Sequence, residues 1–481
     1  MSNQIISGFG QGIDQAGLDG LVKALEAGYQ LGPNQTGGSA LRVQSLESSL
    51  KTLSYTHNHI RFWKKIPKSP AFSTIEEYNQ VSDYGGTASP FVLEGELPQG
   101  SDSSFARKYE KVKYMGTTRE VTLQATLVSN AHGDAVAEQN AQGILWLLGM
   151  VETYLFSGNA GLAANGDGPQ WNGLDALIDP TMVMDMGGNA LLPTDFETAT
   201  NILVENFAYP TDILFSNKVM SDLAKTMYPQ HRVGIPAPVN GVIGQSFDTI
   251  QLQSGPLTMN ACRFITKAAS PKAAATSLQA PATPASIVAG AATGTTGDFN
   301  KGATAAESAA SSYYSYVVTA ANRFGESAPT AVQGAATVLT TANKTAGTYI
   351  PLTITNPASL GAQAPEYFRI YRSKASTVNA VPAALTAYSL IAQVPAASIL
   401  VNGTTVFNDL NFKLPGTSDA YIGELTSQVL TFRQLAPLLK QDYAVVGPSF
   451  KWGILLFGTP LLFAPKKWLR IVNIGDLVVT P

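Results

Sequence analysis

Side chains able to do chemistry are few in this chain, and none stands at a spacing that a reaction needs. The four histidines are the pair His57-Asn58-His59 with His132 and His231. A zinc site would need further ligands at a fixed spacing, as in His-Glu-x-x-His or paired cysteines, and neither pattern occurs. The single cysteine, Cys262, rules out an intramolecular disulfide framework and reads as a small buried apolar residue. Gly8-Phe9-Gly10-Gln11-Gly12 brushes against the dinucleotide fingerprint but follows no strand and is wrongly spaced. Asn165-Gly166-Asp167-Gly168 lacks the alternating oxygen ligands and closing glutamate of a calcium loop. There is no Gly-x-Ser-x-Gly elbow or Gly-Lys-Ser/Thr phosphate loop, and nothing singles out a carboxylate pair. The expectation is a protein that is no enzyme, with no catalytic residue, metal or cofactor.

One run does suggest a surface. Phe105, Arg107, Lys108, Tyr109, Lys111 and Lys113 interleave aromatic and basic side chains. A nucleic-acid strip would look similar. Glu110 and Glu120 beside it suit a mixed-charge contact between subunits better than a phosphate track. The whole chain agrees, since 31 Lys and Arg against 34 Asp and Glu leave a net charge of −3. No overall basic field exists to hold DNA by phosphate neutralisation.

With 481 residues and only 14% charged side chains, the chain is large and short of charge. An ordinary soluble protein carries about 25%. A surface so lightly charged is expected to be covered, most simply by copies of the same chain. The N-terminal Met1-Ser2-Asn3-Gln4 lacks the charged start and apolar stretch of a signal peptide, so a cytosolic product is expected. The most apolar stretch, Trp452 to Ala464, is about half the ~20 residues that a membrane span needs. With Gly458-Thr459-Pro460 inside it, it reads as two buried strands joined by a turn.

Periodicity supplies the rest. Leu18, Leu21, Val22, Leu25 and Tyr29, then Val43, Leu46, Leu50 and Leu53, mark two amphipathic helices with no local partner, an arm over 1–60. The prolines of Phe62 to Pro70 favour extended backbone, and a Gly-, Ser- and Pro-rich excursion follows. From Lys113 to Val128 the alternation predicts a strand, with Gly116 as the turn before it. Asp134 to Phe156 predicts a helix apolar all round and buried on more than one side. Asp212–Ser216 reads as a strand and Lys218–Met227 as a helix. Residues 267–297 have the composition of a linker. Short alternating strands at Tyr314–Ala320, Tyr367–Tyr371, Leu390–Val394 and Val406 then argue a small β-sandwich inserted over about 280–413. Residues 417–481 are expected to rejoin the α+β region.

Three groups of residues resemble a known family. The first is Ile66-Pro67-Lys68-Ser69-Pro70-Ala71-Phe72-Ser73-Thr74 leading to Glu77-Tyr78, then Phe91-Val92-Leu93-Glu94 and Val112-Lys113-Tyr114. The second is Gly173-Leu174-Asp175-Ala176-Leu177-Ile178-Asp179, and the third Ala464-Pro465-Lys466-Lys467-Trp468-Leu469-Arg470-Ile471-Val472-Asn473. With the order of segments, they resemble major capsid proteins of tailed bacteriophages of the Hong Kong 97 type, in particular those of large contractile-tailed phages carrying an immunoglobulin-like insertion.

The resemblance implies an α+β fold with an N-terminal arm (1–60), an extended loop (61–128), a peripheral domain with a spine helix (129–200), and an axial domain (201–266). An inserted immunoglobulin- or fibronectin-like β-sandwich with linkers (267–416) and a return (417–481) complete it. It implies a major capsid protein assembling as hexamers and pentamers into an icosahedral head around double-stranded DNA. Its partners would be itself, a separate scaffold, a portal and decoration proteins, with no membrane. The place would be the virion, assembled in the bacterial cytoplasm. Two alternatives stay open on sequence: an extracellular binding protein or glycan-active enzyme with a fibronectin-like module, and a bacterial nanocompartment shell protein.

Overall fold

Asp134 starts the longest helix, Ala135–Ser157, by accepting a hydrogen bond from the Val136 N–H at 3.0 Å, with Glu138 in the first turn facing the positive helix end. The computed structural model describes residues 54–477 apart from 86–88, 90, 98–99, 129–132, 164–167, 232–248, 266–268, 332–336, 362 and 446. The arm helices expected before residue 54 lie outside the described residues. The long helix is not buried all round: Leu147, Val151, Leu155 and Phe156 are buried, whereas Trp146 is 41% exposed. Its two internal glycines admit close neighbours. A Cβ at Gly143 would sit 2.6 Å from Ile454 Cδ1, and one at Gly149 2.6 Å from the Tyr55 hydroxyl.

The helix holds the entering chain through one buried carboxylate. Glu152 accepts the backbone N–H groups of Arg61 and Phe62 at 3.0 Å each and of Trp63 at 3.4 Å. Those N–H groups open a single helical turn, Phe62–Lys65, where the prolines further on had suggested extended chain. The unpaired donors of a helix start are what a carboxylate satisfies. Phe62 is thereby set against Phe156, with ring centroids 5.0 Å apart, and beside Trp468 at 6.4 Å. Burial holds the Glu152 carboxyl above the usual glutamate range despite the three N–H groups. It also pushes the Cys262 thiol up to about 12, with the Glu152 charge adding to the effect.

Two sheets complete this body. One runs in the order Lys68–Pro70, Leu430–Asp442, Ser449–Leu462 and Lys113–Thr122. The other is mixed, in the order Val183–Asp185, Trp468–Ile474, Ser418–Gly423, Asp212–Phe215, Gly255–Ala261 and Thr249–Leu252. The first corrects two expectations. The strand from Lys113 stops at Thr122, whose hydroxyl caps a short helix, Leu123–Leu127, and Gly116 lies inside the strand opposite Leu455. Ser449–Leu462 is one unbroken strand. A Cβ at Gly458 would press to 2.4 Å from the Phe432 ring, so glycine serves packing there. Pro460 costs no ladder bond: its partner Phe432 sends its N–H to Pro67, and on the other flank the neighbouring strand ends at Lys113 opposite Gly458.

Between Ala261 and Ser418 the chain builds a second core. A three-stranded sheet (Thr404–Asp409, Ile350–Thr355, Ser286–Ala289) faces a four-stranded one (Gly325–Glu326, Tyr316–Asn322, Tyr367–Ser373, Tyr388–Pro395). Tyr316, Val318, Leu352, Ile354, Phe368 and Ile370 are among the residues that fill the space between. Ser286–Ala289 falls in the stretch read as a linker, so small, uncharged residues there make a sheet strand. Charges also lie inside. Arg372 pairs with Asp409 at 2.6 Å, Tyr316 donates to the same carboxylate at 2.9 Å, and Glu326 gathers Arg369, Tyr371 and Thr319. Asn473, at φ +58°, joins this unit to the body: its amide donates to Asp185 at 2.9 Å and to the Phe412 carbonyl at 2.7 Å, while Lys301 reaches Asp185 at 2.8 Å.

Glu152→Gln puts an NH2 where the Trp63 N–H must be accepted, and at pH 7 it should cost about 1–3 kcal/mol of unfolding free energy by chemical denaturation. The sign of the pH dependence follows from the raised folded-state pKa. The wild type loses stability as pH rises through that value and gains it as pH falls toward the ordinary glutamate range. The Gln variant has nothing to titrate there, so its deficit should widen on going from pH 8 to pH 5.

Candidate assembly interface

A two-stranded hairpin pairs Ile75–Asp83 with Ser104–Lys111 in antiparallel register, Ile75 opposite Lys111 and Val81 opposite Phe105. Among the described residues no third strand joins it. Since side chains alternate across a strand, opposite partners share a face. One face carries Glu76, Tyr78, Gln80, Ala106, Lys108 and Glu110, and it rests on the body. Tyr78 stacks edge-on against Phe463 at 5.1 Å and donates to the Leu462 carbonyl at 3.2 Å, and Gln80 donates to the Phe463 carbonyl at 2.5 Å. Asn172 donates to both oxygens of Glu110 at 3.2 and 3.0 Å. Burial lifts the Glu110 carboxyl above its ordinary range, while Asn172 and Lys113 oppose the shift.

The other face carries Ile75, Glu77, Asn79 and Val81 with Phe105, Arg107, Tyr109 and Lys111. Phe105 is 72% exposed there, and Tyr109, Val81 and Ile75 are exposed with it. Arg107 and Glu77 form an ion pair at 3.4 Å on the same surface. The six residues singled out by their sequence spacing therefore divide. Phe105, Arg107, Tyr109 and Lys111 share the outward side of the ladder, and Lys108 is on the opposite one. Lys113 belongs to the next strand and donates to the Gly168 carbonyl at 2.6 Å.

Sequence reasoning placed a Gly-, Ser- and Pro-rich excursion here but missed the Ile75–Asp83 strand. At the far end Phe91 and Leu97 are 88% and 91% exposed, with Tyr84 and Leu93 also exposed. Glu94, Gly95 and Glu96 lie between the apolar side chains. The signal was present, as an apolar-acidic run between glycines, but only the register shows that it caps a hairpin. An isolated two-stranded hairpin is marginal in water, and aromatic side chains left bare on it mark a contact surface.

Among the described residues no group of three or more His, Cys, Asp or Glu could hold a metal ion, and no helix is long and apolar enough to cross a membrane. What the geometry offers is contact area, the outward face and tip of the hairpin with their exposed apolar side chains. No protein-family model matches it. Over 473 residues, 95% of this chain and 96% of the relative, it is 27% identical to the major capsid protein of Staphylococcus phage K, and the same figures hold for that of Staphylococcus phage S25-3. The resemblance to tailed-phage major capsid proteins thus extends along nearly the whole chain, and this homology supports a viral capsid-forming protein. Among solved structures, the capsid of a native GTA particle aligns over 92% of this chain and 97% of its own, at 6% identity with a TM-score of 0.45.

Two of the stretches that carried the resemblance meet in space, and the first packs on the strand that leads into the third. Arg470 of the C-terminal stretch pairs with Asp175 at 3.0 Å, and Tyr421 donates to the same carboxylate at 2.6 Å. Tyr78 packs on Phe463, and Tyr114 on Phe457 at 5.2 Å. Asn172→Ala should strip Glu110 of both its amide hydrogen bonds and cost about 1–3 kcal/mol. Denaturation of the unassembled chain, with cleavage of residues 84–103 by a dilute protease as a second readout, should show both lower stability and a looser hairpin.

Proposed function

We propose that this chain is the major capsid protein of a tailed phage, with the Hong Kong 97-type arrangement of arm (1–60), extended loop (61–128), peripheral domain with spine helix (129–200), axial domain (201–266), inserted immunoglobulin-like sandwich (267–416) and return (417–481). Copies associate as hexamers and pentamers into an icosahedral head that encloses double-stranded DNA. Scaffold, portal and decoration proteins are its partners, and assembly takes place in the bacterial cytoplasm. The observation that carries this is the hairpin, fastened at its base and bare on its outward face and tip. Such an element gains its missing burial by lying on a neighbouring copy, through Phe105, Arg107, Tyr109 and Lys111 among others. Each contact is modest, and closure of a symmetric shell makes them cooperative. The net charge of −3 fits a wall that contains DNA without gluing to it.

Negative-stain microscopy of the purified chain, alone and coexpressed with its neighbouring genes, tests the reading. Closed shells of uniform size are expected; monomers or irregular aggregates under every condition contradict it. The sandwich is dispensable on this account. The chain leaves the mixed sheet after Ala261 and re-enters it at Ser418, on strands that both flank Asp212–Phe215. That puts the two ends about 10 Å apart, a span a short linker closes. Replacing 280–413 by a Gly/Ser linker should leave closed shells; open sheets would count against an outward, accessory sandwich.

A further inference from the structure

The inserted sandwich meets the body at two places, and they lie at opposite ends of one of its strands, Tyr316–Asn322. At the first end the Tyr316 hydroxyl donates to Asp409 at 2.9 Å, and Asp409 accepts the Asn411 N–H at 2.9 Å. The Asn411 amide donates in turn to the carbonyls of Asp298 and Lys301 at 2.7 and 3.2 Å. This is the end that Lys301, Asp185 and Asn473 fasten to the body. Five residues further on, Ala321 stands opposite Tyr367 in the ladder, about 17 Å away at the rise of a strand. There Ala321 and Tyr367 are buried together with Leu162 of the body in one apolar cluster.

Leu162 belongs to the chain that leaves the long helix, and that chain is bonded to itself. Gly173 N–H closes on the Gly158 carbonyl at 2.8 Å, Gly168 N–H on the Ala160 carbonyl at 2.8 Å, and Ala160 N–H on the Asn172 side chain at 3.0 Å. The Trp171 indole ties it to the helix by donating to the Tyr154 carbonyl at 3.0 Å. Residues 158–163 and 168–173 thus act as one unit. Through Asn172 it holds Glu110, and through the Gly168 carbonyl it holds Lys113, both at the root of the hairpin. The same unit faces the sandwich, with Pro169 and Gln170 across from Arg323 and Glu366 around a space of about 20 Å³, room for about one water.

We infer that the inserted sandwich is a brace: seated at both ends, it presses on residues 158–163 and 168–173 and through them stiffens the root of the hairpin. A module joined by its linkers alone swings relative to its host. Here the second seat, about 17 Å from the first, removes that freedom. The coupling runs through contiguous packed and hydrogen-bonded groups: Tyr367 to Leu162, Ala160 to Asn172, and Asn172 to Glu110. A brace is not a closing contact, so shells lacking the sandwich still close, on a softer root. The inference concerns the single chain and stands apart from the capsid role.

The test follows amide hydrogen exchange in the full chain before assembly. Leu162→Asp sets a carboxylate against Ala321 and Tyr367, and a second variant replaces 280–413 by the Gly/Ser linker. Both should speed exchange over 158–163, 168–173 and 108–113 by about tenfold or more, while Trp468–Ile474 keeps its protection. Unchanged exchange in those segments in either variant overturns the brace, and so does a loss of protection that extends to Trp468–Ile474, because the effect is then not local. A further variant leaves the seat intact: with Pro169→Cys and Arg323→Cys on the rim, a short bismaleimide should join the two residues within one chain, as read by peptide mapping. The absence of that link shows a swinging sandwich and overturns the second seat. Cys262 is buried and does not compete. No shell enters these measurements, so their failure leaves the capsid role standing.

Discussion

A carboxylate with no water around it must find donors nearby, and Glu152 finds three on the backbone of residues 61–63. Much of the architecture follows from that exchange. The long helix captures the chain about ninety residues upstream of itself, turns it through one helical turn, and drops Phe62 between Phe156 and Trp468. From there Lys68–Pro70 has one direction open to it, parallel to Phe432–Gln434 at the edge of the four-stranded sheet. Ala71 is fixed by the Gln434 carbonyl at 2.8 Å, and the hairpin leaves the body at Ile75 with its base already aimed. Removing the carboxylate would leave unsatisfied donors inside the core and a hairpin without a direction.

The firmness of that base contrasts with the tip. Near the body, the hairpin is held by Tyr78, Gln80 and Glu110 through side chain to backbone and side chain to amide bonds. Further out the described residues hold to one another rather than to the body, by strand pairing and by bonds such as Ser82 Oγ to the Ser104 carbonyl at 3.2 Å, and then comes a loop that bonds within itself. A rigid root and an unsupported end suit an element whose last part is stabilised by another molecule. The scarcity of charge fits this division. Several charges of the inserted unit, Glu326, Arg372, Asp409 and Lys344, are buried in its own network, so fewer remain to keep its surface apart from neighbours.

Much of this was legible in the sequence where one physical rule dominated. The 23-residue helix was marked by its apolar spacing and by Asp134, and Asp212–Phe215 by a run of apolar residues between turn signals. Failures came where tertiary contacts overrode local rules. Pro67 and Pro70 said nothing of Glu152, so the turn at Phe62 was missed. Gly458 and Pro460 looked like breakers because their neighbours, the Phe432 ring and a strand that stops at Lys113, are remote in sequence. Within the interface run, residue type was informative and register was not: spacing alone could not separate Lys108 from Arg107, which face opposite ways. The buried ion pairs of the inserted unit were equally invisible, since a period-two pattern does not tell a solvated arginine from one held by Asp409.

The central claim is that the outward face of the hairpin is completed by a neighbouring copy. Amide hydrogen exchange on Ile75–Asp83 and Ser104–Lys111, compared between dissociated subunits and intact particles, tests it most directly. The account predicts rapid exchange in subunits, as for a two-stranded hairpin with one bare face, and slowing by about a hundredfold or more on assembly, with the long helix protected in both. Equal protection of the hairpin in subunits and particles would contradict it.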